Sequence, residues 1–264
     1  MLDLAAFDRL TAASMAGNRW ANVAITFYSI FEMVEPKNML KVVSAVVFLL
    51  LIVIQTSAYA AGCDGQKGRV IFEDDFSDDS GGWAHGSGAG WSASFGKSGL
   101  TLRMHDPITS VRFLNITFAA GEGDFCVEAI MPGSAEIIAR TGLLFLANDS
   151  ANFYALMVGG DVPAPSNDDR GAISLWRVDG GNWGLLGTWS EPRIKLDPGS
   201  VVVLRAEVKA KLITASVDGV ELKKVRIPGD GDNLKFGVYA ETSEAAPAPG
   251  TSFQFKRYKV TAGE

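Results

Sequence analysis

Residues 201–226 read VVVLRAEVKAKLITASVDGVELKKVR, and this stretch decides the fold. Apolar and charged side chains alternate over residues 204–209, which is the period of a β-strand with one buried face and one hydrated face. The Asp-Gly pair at 218–219 lies between two further β-rich runs, and both of its residues suit the positive φ angles of a tight turn. Three consecutive strands are therefore predicted, over residues 201–209, 212–217 and 220–226, and the last two form a hairpin.

The same pattern extends outward from this stretch. Helical periodicity is hard to find after residue 62, while short runs rich in β-branched and aromatic residues recur between glycine turns. The other predicted strands are 70–72, 100–104, 111–118, 125–131, 141–147, 153–158, 172–178, 185–189, 235–240 and 252–260. About a dozen strands in roughly 200 residues predict an all-β fold in which two sheets form a sandwich.

Residues 39–60 have the pattern of a secretory signal peptide. Lys41 supplies a basic start, an apolar run covers residues 42–54, and Ala58 and Ala60 form a small-residue end. The run is 13 residues long, which is short of the roughly 20 that cross a bilayer. We therefore expect a helical signal segment that is cleaved near Ala60, and a periplasmic or secreted protein.

Residues 1–38 precede this segment, although a signal peptide normally begins a chain. Either Met39 is the true start, or the extension is real and the apolar run is an internal signal-anchor. Lys37 and Lys41 fit a short basic leader and favour the first alternative. Either way the functional domain is predicted to span residues 61–264, and the membrane is a partner only through an uncleaved N-terminal segment.

The charge balance argues against nucleic acid as a partner. The net charge is −6, and residues 1–60 contain four acidic and four basic side chains, so the whole excess lies in residues 61–264. Nucleic-acid binding needs a basic face. The one tight basic cluster, over residues 256–259, is interpreted as solvated positions on a terminal strand.

Cys63 and Cys126 are the two cysteines, and both survive cleavage near Ala60. An oxidising compartment allows them to form a disulfide. Acylation of Cys63 is an alternative, because small residues precede it. Ala60 occupies the position where such lipoprotein signals usually carry a bulky aliphatic residue, which favours simple cleavage.

Several motifs follow one another in a characteristic order along residues 61–264. They are FEDDF at 72–76 followed by GW at 82–83, GLLF at 142–145, NFYAL at 152–156, ISLWR at 173–177, GGNW at 180–183, the hairpin at 217–219 and FGVY at 236–239. In this order they resemble the concanavalin A-like lectin/glucanase superfamily, the laminin-G-like jelly roll. Within it, the chain looks most similar to exported bacterial domains of the 3-keto-disaccharide hydrolase type.

The resemblance implies a jelly-roll sandwich whose concave sheet can bind glycans, and it does not imply catalysis. Hydrolytic relatives carry Glu-x-Asp-x-Glu on one strand. The nearest pattern here is Glu122-Gly123-Asp124, with Glu128 four residues after Asp124 and Cys126 between them. The catalytic pattern is therefore not met, and solvated strand residues are the better interpretation.

Large aromatic side chains suggest where a glycan would bind, because sugars stack their C–H faces on such rings. Trp176 lies beside Arg177, and Trp183 follows a glycine-rich turn, so both rings are predicted to be exposed. We predict a binding site formed by Trp176, Arg177, Trp183 and Tyr154, with Arg140 as a partner for hydroxyl or carboxylate groups.

Asp74 and Asp75 are candidate ligands for calcium, since carboxylate oxygens suit a hard cation. An acidic turn that stays hydrated is the alternative. Many relatives place an acid after a phenylalanine of the last strand to help hold calcium, whereas Lys256 follows Phe255 here. We therefore expect no cofactor, with calcium as the remaining candidate.

The leading hypothesis is an exported carbohydrate-recognition module without catalytic residues, whose partner is a glycan or an envelope polysaccharide. One alternative is a glycoside hydrolase of the 3-keto-disaccharide hydrolase type. The other is an envelope structural or protein-binding domain.

Overall fold

The computed structural model describes residues 62–84, 86–105, 110–132, 139–162, 171–194, 196–227, 234–242 and 251–263. All of them belong to the second of two compact units, Tyr59–Glu264. The predicted helical signal segment at 39–60 and the extension at 1–38 lie outside the described residues. Within the described ranges, no helix has the length and apolar character needed to span a membrane.

The described chain consists of one short 3-10 helix, Gly62–Gly65, and fifteen strands. The first eight strands are β1 (Val70–Asp74), β2 (Ser87–Gly88), β3 (Trp91–Ser94), β4 (Leu100–Met104), β5 (Ser110–Leu114), β6 (Gly123–Ile130), β7 (Ala139–Asp149) and β8 (Asn152–Val162). The other seven are β9 (Gly171–Asp179), β10 (Asn182–Trp189), β11 (Val201–Lys209), β12 (Leu212–Val217), β13 (Val220–Arg226), β14 (Lys235–Thr242) and β15 (Ser252–Thr261).

The strands form two antiparallel sheets. The nine-stranded sheet has the order β13-β12-β11-β6-β15-β4-β3-β2, and β1 also pairs with β15. The six-stranded sheet has the order β10-β9-β8-β7-β14-β5. The prediction of an all-β, two-sheet sandwich is confirmed.

The stretch that decided the prediction forms β11, β12 and β13 in consecutive positions of the nine-stranded sheet. Asp218 and Gly219 have φ angles of 49° and 76° and join β12 to β13, as the Asp-Gly pair predicts. The Asp218 carboxylate also accepts a hydrogen bond of 2.8 Å from the Val203 N–H, which ties the turn to β11. Burial raises the pKa of this carboxyl.

The two sheets pack face to face around an aromatic core. Phe125 of the nine-stranded sheet lies 5.9 Å from Phe145 of the six-stranded sheet, measured between ring centroids. Trp83 is fully buried and stacks on Phe113 at 6.1 Å. Its indole N–H donates to Asp74 Oδ2 at 2.7 Å, so the buried donor is satisfied.

The outer face of the nine-stranded sheet holds the start of the described chain. Cys63 and Cys126 form a disulfide across a sequence separation of 63 residues, so the sulfur of Cys63 is not free for acylation. The Cys63 N–H donates to Glu128 Oε1 at 2.9 Å, and Asp64 forms an ion pair of 2.9 Å with Arg257. Residues 62–65 are thereby fastened to β6 and β15.

Candidate ligand-binding site

The outer face of the six-stranded sheet carries a pocket of about 230 Å³. This face has its own apolar cluster, separate from the core, which includes Phe153, Met157 and Tyr239. Alternation along the strands explains the separation, because neighbours such as Leu156 and Val238 point into the core instead. The pocket is lined by Ser110, Arg112, Arg140, Trp176, Trp183, Tyr239 and Glu241.

Strand register brings the polar lining residues together. Glu241 of β14 lies opposite Ser110 of β5 on one side and Arg140 of β7 on the other. Two residues earlier on β14, Tyr239 lies opposite Arg112 and Gly142. Residues at the same register on neighbouring strands share a face, so these residues form two adjacent rows across three strands.

Gly142 has no side chain, and Tyr239 packs in the space that a side chain at this position would fill. A Cβ atom at this position would lie 3.3 Å from the Tyr239 Cβ and 2.9 Å from the Met157 Cγ. Any side chain there would push these two neighbours apart. The glycine is therefore a packing requirement of the pocket floor.

Trp183 is the central ring of the pocket. Its centroid lies 5.7 Å from that of Trp176, 5.8 Å from Tyr239 and 5.5 Å from Phe153, each in an edge-to-face arrangement. Trp183 is nevertheless 38% exposed, while Trp176 is partly buried. The ring therefore combines a fixed position with an accessible surface, which is the arrangement on which a ligand stacks.

Glu241 connects two of the other lining residues. Its Oε2 accepts a hydrogen bond of 2.9 Å from the Tyr239 hydroxyl and lies 3.4 Å from Arg140 Nη1. Burial, followed by the neighbouring carboxylate, raises the pKa of Tyr239 above its ordinary range. The phenol therefore stays protonated and keeps donating to Glu241 at alkaline pH, where an ordinary tyrosine would ionise.

Three buried N–H groups of the pocket lack a partner among the described residues. They are Arg112 Nε, Arg140 Nε and Trp176 Nε1. The Arg112 guanidinium lies over the rings of Phe153 and Trp183, at 5.6 and 5.7 Å from their centroids. Buried donors are nearly always hydrogen-bonded in proteins. These three are therefore available to water or to a ligand.

The structure brings together three of the five predicted site residues, namely Trp176, Trp183 and Arg140. The other two point to the opposite side of the six-stranded sheet. Tyr154 is 9% exposed and stacks on Phe145 at 6.0 Å, and burial raises its pKa. Arg177, its register partner on β9, forms an ion pair of 2.6 Å with Asp179.

Sequence reasoning missed four lining residues. They are Ser110, Arg112, Tyr239 and Glu241. One signal for them exists in the sequence, because Arg112 is a charged residue between Val111 and Phe113 in a strand whose neighbours are apolar. A charge at such a position marks the face turned away from the core. Their clustering depends on the pairing of β14 with β5 and β7, which no local pattern reveals.

The carboxylates closest to the hydrolase pattern lie on the other sheet. Asp124 accepts a hydrogen bond of 2.7 Å from Arg205 Nε, and Glu128 is bonded to the Cys63 N–H. Cys126, between them, forms the disulfide. Their contacts are those of residues that hold the structure together.

Asp74 and Asp75 stabilise the turn after β1. The Asp74 oxygens accept 2.7 Å bonds from the Phe76 N–H and the Trp83 indole. The Asp75 Oδ1 accepts a bond of 2.9 Å from the Ser77 N–H, and bonds from Ser77 lower the pKa of this carboxyl. In the described ranges, no three acidic, histidine or cysteine side chains are grouped so as to hold a metal. Calcium binding at this turn stays a prediction.

A second cavity, of about 340 Å³, lies at the end of β10. Its lining residues are Ile173, Trp189, Ser190, Glu191, Pro192, Ile194 and Leu196. Among the described residues that line it, Glu191 is the charged one, and it is already engaged, because hydrogen bonds from Arg193 lower its pKa to about 2. The smaller pocket at Trp183 is therefore the better candidate for recognition of a polar ligand.

No protein-family profile and no curated protein sequence matches the chain. Solved structures do match. A Bacillus subtilis protein of unknown function with a galectin-like fold has a TM-score of 0.52 at 14% identity, covering 74% of this chain and 97% of its own. A GH16 enzyme of the mixed-linkage glucan PUL of Bacteroides ovatus has a TM-score of 0.52 at 10% identity, with coverages of 72% and 99%.

The catalytic domain of an endo-1,3-beta-glucanase (laminarinase) from Thermotoga petrophila is also similar, with a TM-score of 0.51 at 11% identity. The match covers 74% of this chain and 98% of the glucanase domain. Identities this low establish the fold alone. The order of the strands and these likenesses agree with the resemblance found in the sequence. The chain has the fold of these solved structures, a jelly-roll sandwich of two antiparallel sheets.

Proposed function

We propose that the protein is an exported carbohydrate-recognition module that binds a glycan on the outer face of its six-stranded sheet. The observation that carries the proposal is the pocket at Trp183. There an accessible indole lies beside three buried N–H groups that have no partner among the described residues.

This combination suits a sugar. The flat C–H face of a sugar ring stacks on an aromatic surface, and its hydroxyl groups exchange hydrogen bonds with polar side chains around that surface. Trp183 offers the surface, while Arg112, Arg140 and Glu241 offer the polar groups. Because Trp183 is held between Trp176 and Tyr239, little side-chain freedom would be lost on binding.

Recognition without catalysis is favoured by the carboxylates of the pocket. Glycosidases use a pair of carboxyl groups about 5–10 Å apart. Glu241 is the one carboxylate among the lining residues of the described pocket, and it is bound to Tyr239 and Arg140. Two of the solved structures with this fold are nevertheless glucan-active enzymes, which supports a carbohydrate ligand.

Export is supported by two features. The pattern of residues 39–60 is that of a signal peptide. The Cys63–Cys126 disulfide suits an oxidising compartment such as the periplasm or the exterior of the cell.

A glycan array probed with the purified protein, with and without calcium, tests the proposal. We expect selective binding to one class of glycan. The variant Trp176→Ala/Trp183→Ala should abolish that binding while the protein still unfolds in one cooperative thermal transition, at a melting temperature lowered by the loss of the two packed rings.

Trp189→Ala is the matched control, because Trp189 lies on the same strand as Trp183 and lines the other cavity. Its glycan binding should equal that of the unaltered protein. An array without any binding by folded protein would refute the proposal, as would undiminished binding by the double variant. Binding that requires calcium would direct attention to Asp74 and Asp75.

A further inference from the structure

The pocket at Trp183 has an excess of donors over acceptors. Three of its buried groups have no hydrogen-bond partner within the described ranges, and all three are N–H donors, on Arg112, Arg140 and Trp176. Its principal acceptor, Glu241 Oε2, is already bonded to the Tyr239 hydroxyl and lies against Arg140. A ligand that satisfies these three donors must present acceptor atoms to them.

The pocket also has an unbalanced positive charge. Its lining residues include two arginines and one glutamate, in a chain whose net charge is −6. Glu241 neutralises Arg140. In the described part of the chain, Arg112 contacts two aromatic rings and forms no ion pair.

Aromatic faces attract the Arg112 cation, but they accept no strong hydrogen bond from its Nε. An anionic group bound there would accept from this Nε and neutralise the charge in one contact. Such charge-assisted bonds are among the strongest that proteins form. Arginine also pairs with planar oxyanions better than lysine does, because its donors form a rigid fork.

We propose, building on the proposed function, that the pocket recognises an acidic sugar, whose carboxylate or sulfate ester accepts hydrogen bonds from Arg112. The sugar ring stacks on Trp183, and the anionic group is held at the Arg112 end of the pocket. Neutral sugars fit less well, since each of their hydroxyl groups also needs an acceptor for its own proton.

The carboxylate of Glu241 does not oppose this assignment. Its Oε2 receives the Tyr239 proton and faces the Arg140 cation, so its charge is directed toward partners within the protein. The adjacent row of residues, containing Arg112 and Tyr239, is left with a net positive charge.

The test compares matched pairs of probes by isothermal titration. One pair is a galacturonic acid tetramer and its methyl ester, and the other is a sulfated galactan tetramer and its desulfated form. We expect the acidic member of at least one pair to bind about 10-fold or more tightly than its neutral form, the difference made by one charge-assisted hydrogen bond. The pair that shows the preference identifies carboxylate or sulfate as the anionic group.

Arg112→Gln should reduce that preference to less than about 3-fold, whereas Arg112→Lys should retain part of it because the charge remains. The preference should also shrink as the salt concentration rises. Retention of the full preference by Arg112→Gln would overturn the assignment to Arg112.

Equal or weaker binding of both acidic probes, together with binding of neutral glycans, would overturn the acidic-sugar proposal and leave carbohydrate recognition intact. An absence of binding to every glycan would overturn both.

Discussion

The charged side chains on the outer faces of the two sheets have different kinds of partner. On the nine-stranded sheet, opposite charges are paired with one another. Asp124 is bonded to Arg205, and Arg257 is paired with both Glu73 and Asp64. On the six-stranded sheet, Arg140 is paired with Glu241, but the guanidinium of Arg112 lies over aromatic rings and its Nε has no partner in the described chain.

The difference separates two roles for surface polar groups. Opposite charges that pair with each other fasten a segment to the sheet. Removing one of them leaves its partner as an unpaired charge that is partly shielded from water. Donors left open inside an aromatic pocket contribute little to the fold and become satisfied when a ligand arrives. Stability is therefore expected to depend mainly on the outer face of the nine-stranded sheet, and ligand binding on that of the six-stranded sheet.

The largest effect is expected from the disulfide. The variant Cys63→Ser/Cys126→Ser should lower the free energy of unfolding by about 2–4 kcal/mol, because the closed loop no longer restricts the unfolded chain. Urea denaturation of the oxidised protein and the variant measures the difference. Glycan affinity, determined below the unfolding transition, should be unchanged. A variant that binds glycans poorly while still folded would show that the two faces are not independent.

Next in size is a matched pair of arginine substitutions. Arg205→Met leaves the buried Asp124 carboxylate without its cation and should cost about 2 kcal/mol of stability, a value reduced from that of a fully buried pair because Arg205 is partly exposed. Arg112→Met should change stability by less than about 1 kcal/mol, since it removes a contact with aromatic rings but also an unpartnered buried donor.

The same two variants should behave in the opposite way in binding. Arg112→Met should lose affinity for the acidic probe, while Arg205→Met should bind it normally. Chemical denaturation gives the free energy of unfolding of each variant, and titration calorimetry gives its affinity for the acidic probe. A large loss of stability in Arg112→Met would mean that its guanidinium supports the fold.

A smaller effect concerns Tyr239 at alkaline pH. Its pKa is raised in the folded protein, so above pH ~10 the unfolded chain releases a proton that the folded chain retains. Stability contributed by this phenol is complete below that pH and is lost as the pH rises toward the folded pKa. The slope is about 1.4 kcal/mol per pH unit for one such group.

Tyr239→Phe should therefore make the decline in stability above pH ~10 shallower, although Tyr154 and Tyr258, whose pKa values burial also raises, continue to contribute. Unfolding curves recorded on either side of that pH provide the measurement. An identical alkaline slope in the variant would show that Tyr239 ionises freely in the folded protein.

The smallest effect is expected at Arg177. It forms an exposed ion pair with Asp179 on the side of the sheet away from the pocket, and such pairs contribute about 0–1 kcal/mol. Arg177→Ala should leave both the melting temperature and the glycan affinity within experimental error. A clear loss of affinity would extend the site beyond the pocket.

The fold was largely predictable because the sequence carries strong local signals for it. β4, β11, β12 and β13 have the bounds that alternation and turns predict. Two strands, Ser87–Gly88 and Trp91–Ser94, were not predicted. They are short, lie among glycines and lack an apolar run, so their pairing depends on contacts with β4 rather than on their own composition.

The candidate site was predictable only in part. Trp176 and Trp183 stood out as large rings next to polar or glycine-rich segments. The direction of Tyr154 was ambiguous because β8 reads NFYALMV, and both faces of this strand are apolar. When both faces of a sheet are apolar, alternation no longer tells which one meets the core. The row formed by Ser110, Glu241 and Arg140 arises from pairing between distant segments, which one sequence does not reveal.

Arg112 and Trp183 lie on the two edge strands of the six-stranded sheet. Five strand spacings of about 4.8 Å would separate these edges by about 24 Å if the sheet were flat. The guanidinium carbon nevertheless lies 5.7 Å from the indole centroid. The sheet must therefore curve so that its outer face is concave, and the pocket lies in that concave face. A substitution that flattens the sheet would open the site without altering any residue that lines it.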